Sequence, residues 1–115
     1  VGVYLNDIRV LDSETYIWSR LRVSGTPPEH RFGHTMDVSG SDILLFGGWS
    51  KTSGTRFKHE PTEESCDYFM IWSTDTMSWK RGRYIGNPPT SRFGHTSTAI
   101  GPHLLIFGGW EYTKA

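Results

Sequence analysis

From Thr15 to Trp49 the chain repeats itself without a gap 61 positions later, as Thr76 to Trp110, with about half of the paired positions identical. Pro27-Pro28-Glu29-His30-Arg31-Phe32-Gly33-His34-Thr35 returns as Pro88-Pro89-Thr90-Ser91-Arg92-Phe93-Gly94-His95-Thr96, and Phe46-Gly47-Gly48-Trp49 returns as Phe107-Gly108-Gly109-Trp110. Trp18, Arg20 and Gly25 return as Trp79, Arg81 and Gly86. A chain written this way folds as copies of one unit, each of which buries its apolar face against the next.

Every local signal inside the unit is for β-structure. Asp42 to Phe46 and His103 to Phe107 are short apolar runs closed by Gly-Gly and preceded by turn residues, Ser39-Gly40-Ser41 in one copy and Gly101-Pro102 in the other. Thr35 to Val38 and Thr96 to Ile100 supply the other arm of each hairpin. A second hairpin is predicted from Asp7 to Leu11 with Tyr16 to Trp18, and again from Tyr68 to Trp72 with Met77 to Trp79. No stretch of ten or more residues carries a helical period. Two hairpins per unit make four strands, the pattern of β-propeller blades.

Composition narrows the function classes. Lys plus Arg and Asp plus Glu are 12 each, so the net charge is +0 and no basic stripe announces nucleic acid. The apolar runs are strand-sized, far below the roughly 18 residues of a membrane span. The one cysteine, Cys66, rules out an intrachain disulfide and a cysteine-rich zinc site. No Asn-x-Ser/Thr sequon is present, which agrees with a cytoplasmic location. No Gly-x-Ser-x-Gly, His-Glu-x-x-His or Cys-His constellation offers a catalytic centre. His30 and His34 are four apart, but Gly33 and the prolines argue against a helix that would bring them together, and Ser91 stands where the second copy would need His30 again. Neither a metal nor another cofactor is expected.

Arg-x-Gly-His-Thr, the apolar strand ending in Gly-Gly, and Asn6-Asp7-Ile8-Arg9-Val10-Leu11-Asp12 leading to Trp18 together resemble the kelch-repeat family. The period exceeds the roughly 50 residues of kelch, and the excess sits in Ser50 to Cys66. The resemblance implies an all-β, kelch-type propeller fragment with four-stranded antiparallel blades, one whole and two half. Residues 1–30 would carry the outer strands of one blade, 31–91 a complete blade with its long loop at 50–66, and 92–115 the inner strands of the next. Both ends would then be unfinished, held by neighbouring blades of the same or a larger chain or by head-to-tail association. The family's use in cytoskeletal scaffolds, ubiquitin-ligase adaptors and signalling complexes implies a protein-interaction module. A ligand-binding or catalytic propeller with its site in other blades is the alternative.

Within that frame Gly47, Gly48, Gly108 and Gly109 are read as structural, since strand exits in a crowded blade need close backbone approach. A phosphate cradle would need a following helix. Trp18 and Trp79 are expected to fill the wedge between blades. Trp49 and Trp110 follow the glycine pairs and suit either packing or a loop-facing contact. His34 and His95 are read as hydrogen-bonded strand residues beside the axis. Arg31 and Arg92 enter the first strand of successive blades, and two uses are open. By the family resemblance they line the channel mouth and grip a partner's carboxylates with the bidentate guanidinium fork; otherwise they pair with a neighbouring blade.

Alternating strand direction puts the long loop and the Pro-Pro connectors, Val23 to Pro28 and Tyr84 to Pro89, on one face. The loop runs from a basic first half through Phe57 to an acidic second half. Long loops of this kind are usually functional or disordered. Arg56, Phe57 and Lys58 are therefore expected to join Arg31, Arg92, Trp49 and Trp110 in binding a protein partner.

Overall fold

The computed structural model describes residues 2–50 and 65–111. Ten strands and no helix appear among them: β1 (Arg9–Leu11), β2 (Trp18–Arg20), β3 (Arg31–Phe32), β4 (Thr35–Ser39), β5 (Asp42–Phe46), β6 (Trp49–Ser50), β7 (Ser65–Ser73), β8 (Ser78–Arg83), β9 (Thr96–Ile100) and β10 (His103–Phe107). Strands β4, β5, β7 and β8 form one antiparallel sheet in that order. This is the whole blade, with β4 and β5 closed by the Gly40 turn and paired from Thr35↔Phe46 to Ser39↔Asp42. The outer pair, β7 and β8, meets from Ser73↔Ser78 through Trp72↔Trp79 and shifts register between Ser65 and Met70.

On either side stands a two-stranded sheet, β1 with β2 and β9 with β10. The repeat makes β1–β2 the counterpart of β7–β8, and β9–β10 the counterpart of β4–β5. The fold is thus all-β, a propeller fragment with a four-stranded blade between two half-blades. One detail departs from the sequence reading. Tyr16 and Met77, expected in strands, have φ of 61° and 54°. Their left-handed backbone belongs to the hairpin turn, so β2 starts at Trp18 and β8 at Ser78.

Adjacent residues on a strand face opposite sides, and β5 uses both. Leu45 joins Met70, Trp72 and Trp79, with Ile8 and Leu21 from the first half-blade packed against them. Phe46 joins Tyr68, covered by Tyr84 and by Ile106 of the last half-blade. Burial on both faces is what lines the three sheets up. Hydrogen bonds then pin them: Gly94 N–H to Gly33 O at 3.0 Å and Gly48 N–H to Arg92 O at 2.8 Å, with Ser97 Oγ donating to Asp37 between the inner strands β9 and β4. The Pro-Pro connectors are latched similarly, Pro28 O accepting from Asn6 Nδ2 at 3.0 Å and Pro89 O from Tyr68 Oη at 2.7 Å.

The two wedge tryptophans sit differently. Trp79 is 6% exposed, whereas Trp18 is 66% exposed. Among the described residues no inner strand pair lies beside β1 to cover Trp18.

Candidate functional site

Gly47 and Gly48 end β5, and the chain returns as β6 against β3, pairing Phe32↔Trp49 and Arg31↔Ser50. Sequence reasoning did not anticipate this short ladder, because two-residue strands carry no periodicity. The second copy repeats it as the Phe93↔Trp110 bridge. The ladders bring aromatic rings of both repeats into one row. Tyr4 meets Phe32 at 5.1 Å between centroids, Phe32 meets Phe93 at 6.2 Å, and Phe93 meets Trp49 at 5.5 Å. All three contacts are tilted edge-on, the favoured arrangement of aromatic pairs. Trp49 is half-buried, while Phe32 and Trp110 remain exposed. Tyr4, Phe32 and Phe93 were not among the expected site residues; the recurrence of phenylalanine between Arg and Gly at the repeat offset was the available signal.

Both arginines clasp backbone in the same way. Arg31 donates from Nε to Glu29 O at 3.0 Å and from Nη1 to Gly47 O at 2.9 Å. Arg92 donates from Nε to Thr90 O at 3.1 Å, from Nη1 to Gly108 O at 3.2 Å, and from Nη2 to Thr90 Oγ1 at 3.1 Å. Each guanidinium thus ties the entry of an inner strand to the glycine turn of the same repeat. They differ in access: Arg31 is 5% exposed, and Arg92 is partly exposed. Arg92 has spent three of its five N–H groups among the described residues, which leaves one on each terminal nitrogen.

The repeated histidines lie just ahead of β4 and β9. His95 Nε2 is 2.8 Å from Thr35 Oγ1 across the two sheets, and its ring stands edge-on to Phe46 at 5.4 Å. Among the described residues the buried Nδ1 atoms of His34 and His95 have no hydrogen-bond partner. Burial, reinforced by Arg31 and then by His95, holds His34 below the ordinary histidine pKa of 6.5. Burial and then Arg92 do the same for His95, against a smaller opposing pull from the Phe46 carbonyl.

A histidine kept neutral in the fold but free to charge when unfolded lets the unfolded state bind more protons below about pH 6.5. Stability is expected to be full above that pH and to decline as pH falls from about 6.5 toward the lowered folded values. Asp7, held low by Arg9, and Asp12, held low by the Thr15 and Glu14 amides, contribute only nearer their own titration in stronger acid. Melting temperatures measured between about pH 7.5 and 5 should therefore fall. They should fall less in a His34→Gln, His95→Gln double variant, and an equal slope in both proteins would remove the histidines as the cause.

Arg56, Phe57 and Lys58 lie outside the described residues. Gly47 and Gly48 sit at the blade contact, and Gly108 and Gly109 repeat the turn at the end of β10. Among the described residues no three His, Cys, Asp or Glu side chains gather as a metal site. His30 instead places Nδ1 2.9 Å from Tyr4 O.

No family model matches the chain. Several curated proteins do. The Rab9 effector protein with kelch motifs from Xenopus laevis is 35% identical over 105 residues, 90% of this chain and 26% of that protein. Kelch domain-containing protein 3 from Bos taurus is 35% identical over 104 residues, 90% of this chain and 25% of that protein. A probable serine/threonine-protein kinase from Dictyostelium discoideum is 37% identical over 105 residues, 89% of this chain but 7% of that protein. The chain thus spans about a quarter or less of these relatives.

Proposed function

Because the chain belongs to the kelch-repeat family, we propose that it serves as a scaffold- or adaptor-type interaction module whose loop-bearing face holds a protein partner. The aromatic row is the observation that carries this reading. It runs from Tyr4 through Phe32 and Phe93 to Trp49, it crosses from one repeat to the next, and Ser50 beside it opens into the long loop. Rigid aromatic side chains supply large contact area at low entropic cost, and Arg92 at the same strand entry supplies a carboxylate clamp. The exposed Trp110 extends the same surface, and Arg56, Phe57 and Lys58 of the loop are proposed to join it in holding the partner. Arg31 enters this reading chiefly as support for Gly47.

A relative is named an effector of Rab9, that is, a protein acting through another protein, in keeping with this reading. The kinase named among the relatives shares 7% of its length with this chain, and its activity is not carried over. Residues 1–30, 31–91 and 92–115 are proposed as the outer half-blade, the whole blade and the inner half-blade of one propeller.

Arg92→Ala is expected to weaken partner binding by about 1.5 to 3 kcal/mol, the range for a hydrogen bond to a charged group. Arg92→Lys should also weaken it, since an ammonium lacks the bidentate fork. Calorimetric titration of the full-length protein with its partner, beside a melting curve, separates binding from folding. Unchanged affinity in both Arg92→Ala and a deletion of Thr52 to Pro61 would move recognition off this face.

A further inference from the structure

A second surface lies along the outer strand β8 of the whole blade, with Arg31 at the end nearer the aromatic row. We propose that the cleft between the connector Thr26–Glu29 and the edge strand β8 binds an extended acidic segment of a protein partner. The cleft has a volume of about 460 Å³, within the range of built ligand sites. Met70, Pro27 and Pro28 give it an apolar floor, and Trp79, Lys80 and Arg81 form the β8 wall. Lys80 and Arg81 are exposed, and their side chains make no hydrogen bond or ion pair among the described residues. Among the described residues Arg31 adds a third cation to the lining, against one carboxylate, Glu29, which accepts from Ser50 Oγ at 2.6 Å. The cleft therefore carries an excess of positive charge in a chain whose net charge is +0.

The backbone selects an extended strand rather than a lone ion. Connector and β8 touch at Ser24 and Ser78, where Trp79 N–H is taken by Ser24 O at 3.1 Å. Period-two alternation turns the Arg81 amide and carbonyl to that same side, but there the cleft has opened. An extended segment laid along it can pair with the β8 edge while its carboxylates meet Lys80 and Arg81.

The proposal rests on the protein-binding reading but not on the aromatic face. The probe is a fluorescein-labelled oligoglutamate peptide added to the full-length protein, with oligoglutamine and inorganic phosphate as controls. Oligoglutamate should bind, and a Lys80→Gln, Arg81→Gln double variant should weaken it about tenfold or more. In fluorotryptophan-labelled protein the fluorine resonance of residue 79, assigned through Trp79→Phe, should shift on titration. Binding that oligoglutamine matches, that phosphate abolishes at comparable concentration, or that leaves both the double variant and the residue 79 resonance unaffected would overturn the proposal. The Lys80→Gln, Arg81→Gln loss and the residue 79 resonance report this cleft, whereas the loss of partner affinity in Arg92→Ala reports the aromatic face, so failure of the two readings gives different results.

Discussion

Trp79→Ala is expected to destabilise the fold by about 3 to 5 kcal/mol, the usual range for removing a large aromatic side chain from a core. Trp79 packs edge-on against Trp72 at 5.5 Å in the cluster with Leu45 and Met70, where Ile8 and Leu21 arrive from the first half-blade. Its removal opens a cavity at the seam of two sheets rather than inside one, so the surrounding strands can close it only by moving a whole half-blade. Lys80 is the next residue on the same strand and is exposed, and Lys80→Ala should change stability by no more than about 0.5 kcal/mol. Thermal melts of the two variants beside the parent decide the matter. Equal shifts would mean that Trp79 does not hold the blades together.

The same tryptophan shows what the sequence could convey. Its recurrence at the repeat offset marked a unit, and the apolar run before Gly47 marked β5, because both follow from rules that span only a few residues. The apolar run before Gly108 gave His103–Phe107, and the Gly101-Pro102 turn ahead of it gave Thr96–Ile100 as its partner, with the bounds the strands have in the fold. The β3–β6 ladder stayed illegible, since pairing Phe32 with Trp49 depends on a turn that two glycines close in three dimensions. The aromatic row was hidden for the same reason: Phe93 meets Phe32 and Trp49 only after two repeats have docked. The arginines were legible as a repeated pair, and sequence left their use open. Burial now separates them, because Arg31 is 5% exposed while Arg92 is partly exposed.

Gly47→Ala should be as damaging, by a different route. Gly47 has φ 74°, and a Cβ there would stand 2.4 Å from Arg92 O and 2.6 Å from His95 Cε1. Neither neighbour can yield cheaply. Arg92 O accepts from Gly48 N–H at 2.8 Å, and Gly47 N–H is itself fixed to Tyr68 O at 2.7 Å. His95 is held at Nε2 by Thr35. The methyl group must therefore push the last half-blade off the whole one, which with the left-handed backbone is expected to cost about 3 kcal/mol or more. The repeat provides its own control. Gly108 has nearly the same φ, 69°, but a Cβ there meets nothing of the described residues within 4 Å. Gly108→Ala in the 115-residue chain should cost only the backbone strain, about 1 to 2 kcal/mol. The difference between the two melting curves measures the contact between blades alone, and a Gly47→Ala loss no larger than that of Gly108→Ala would mean that the sheets do not meet at this turn.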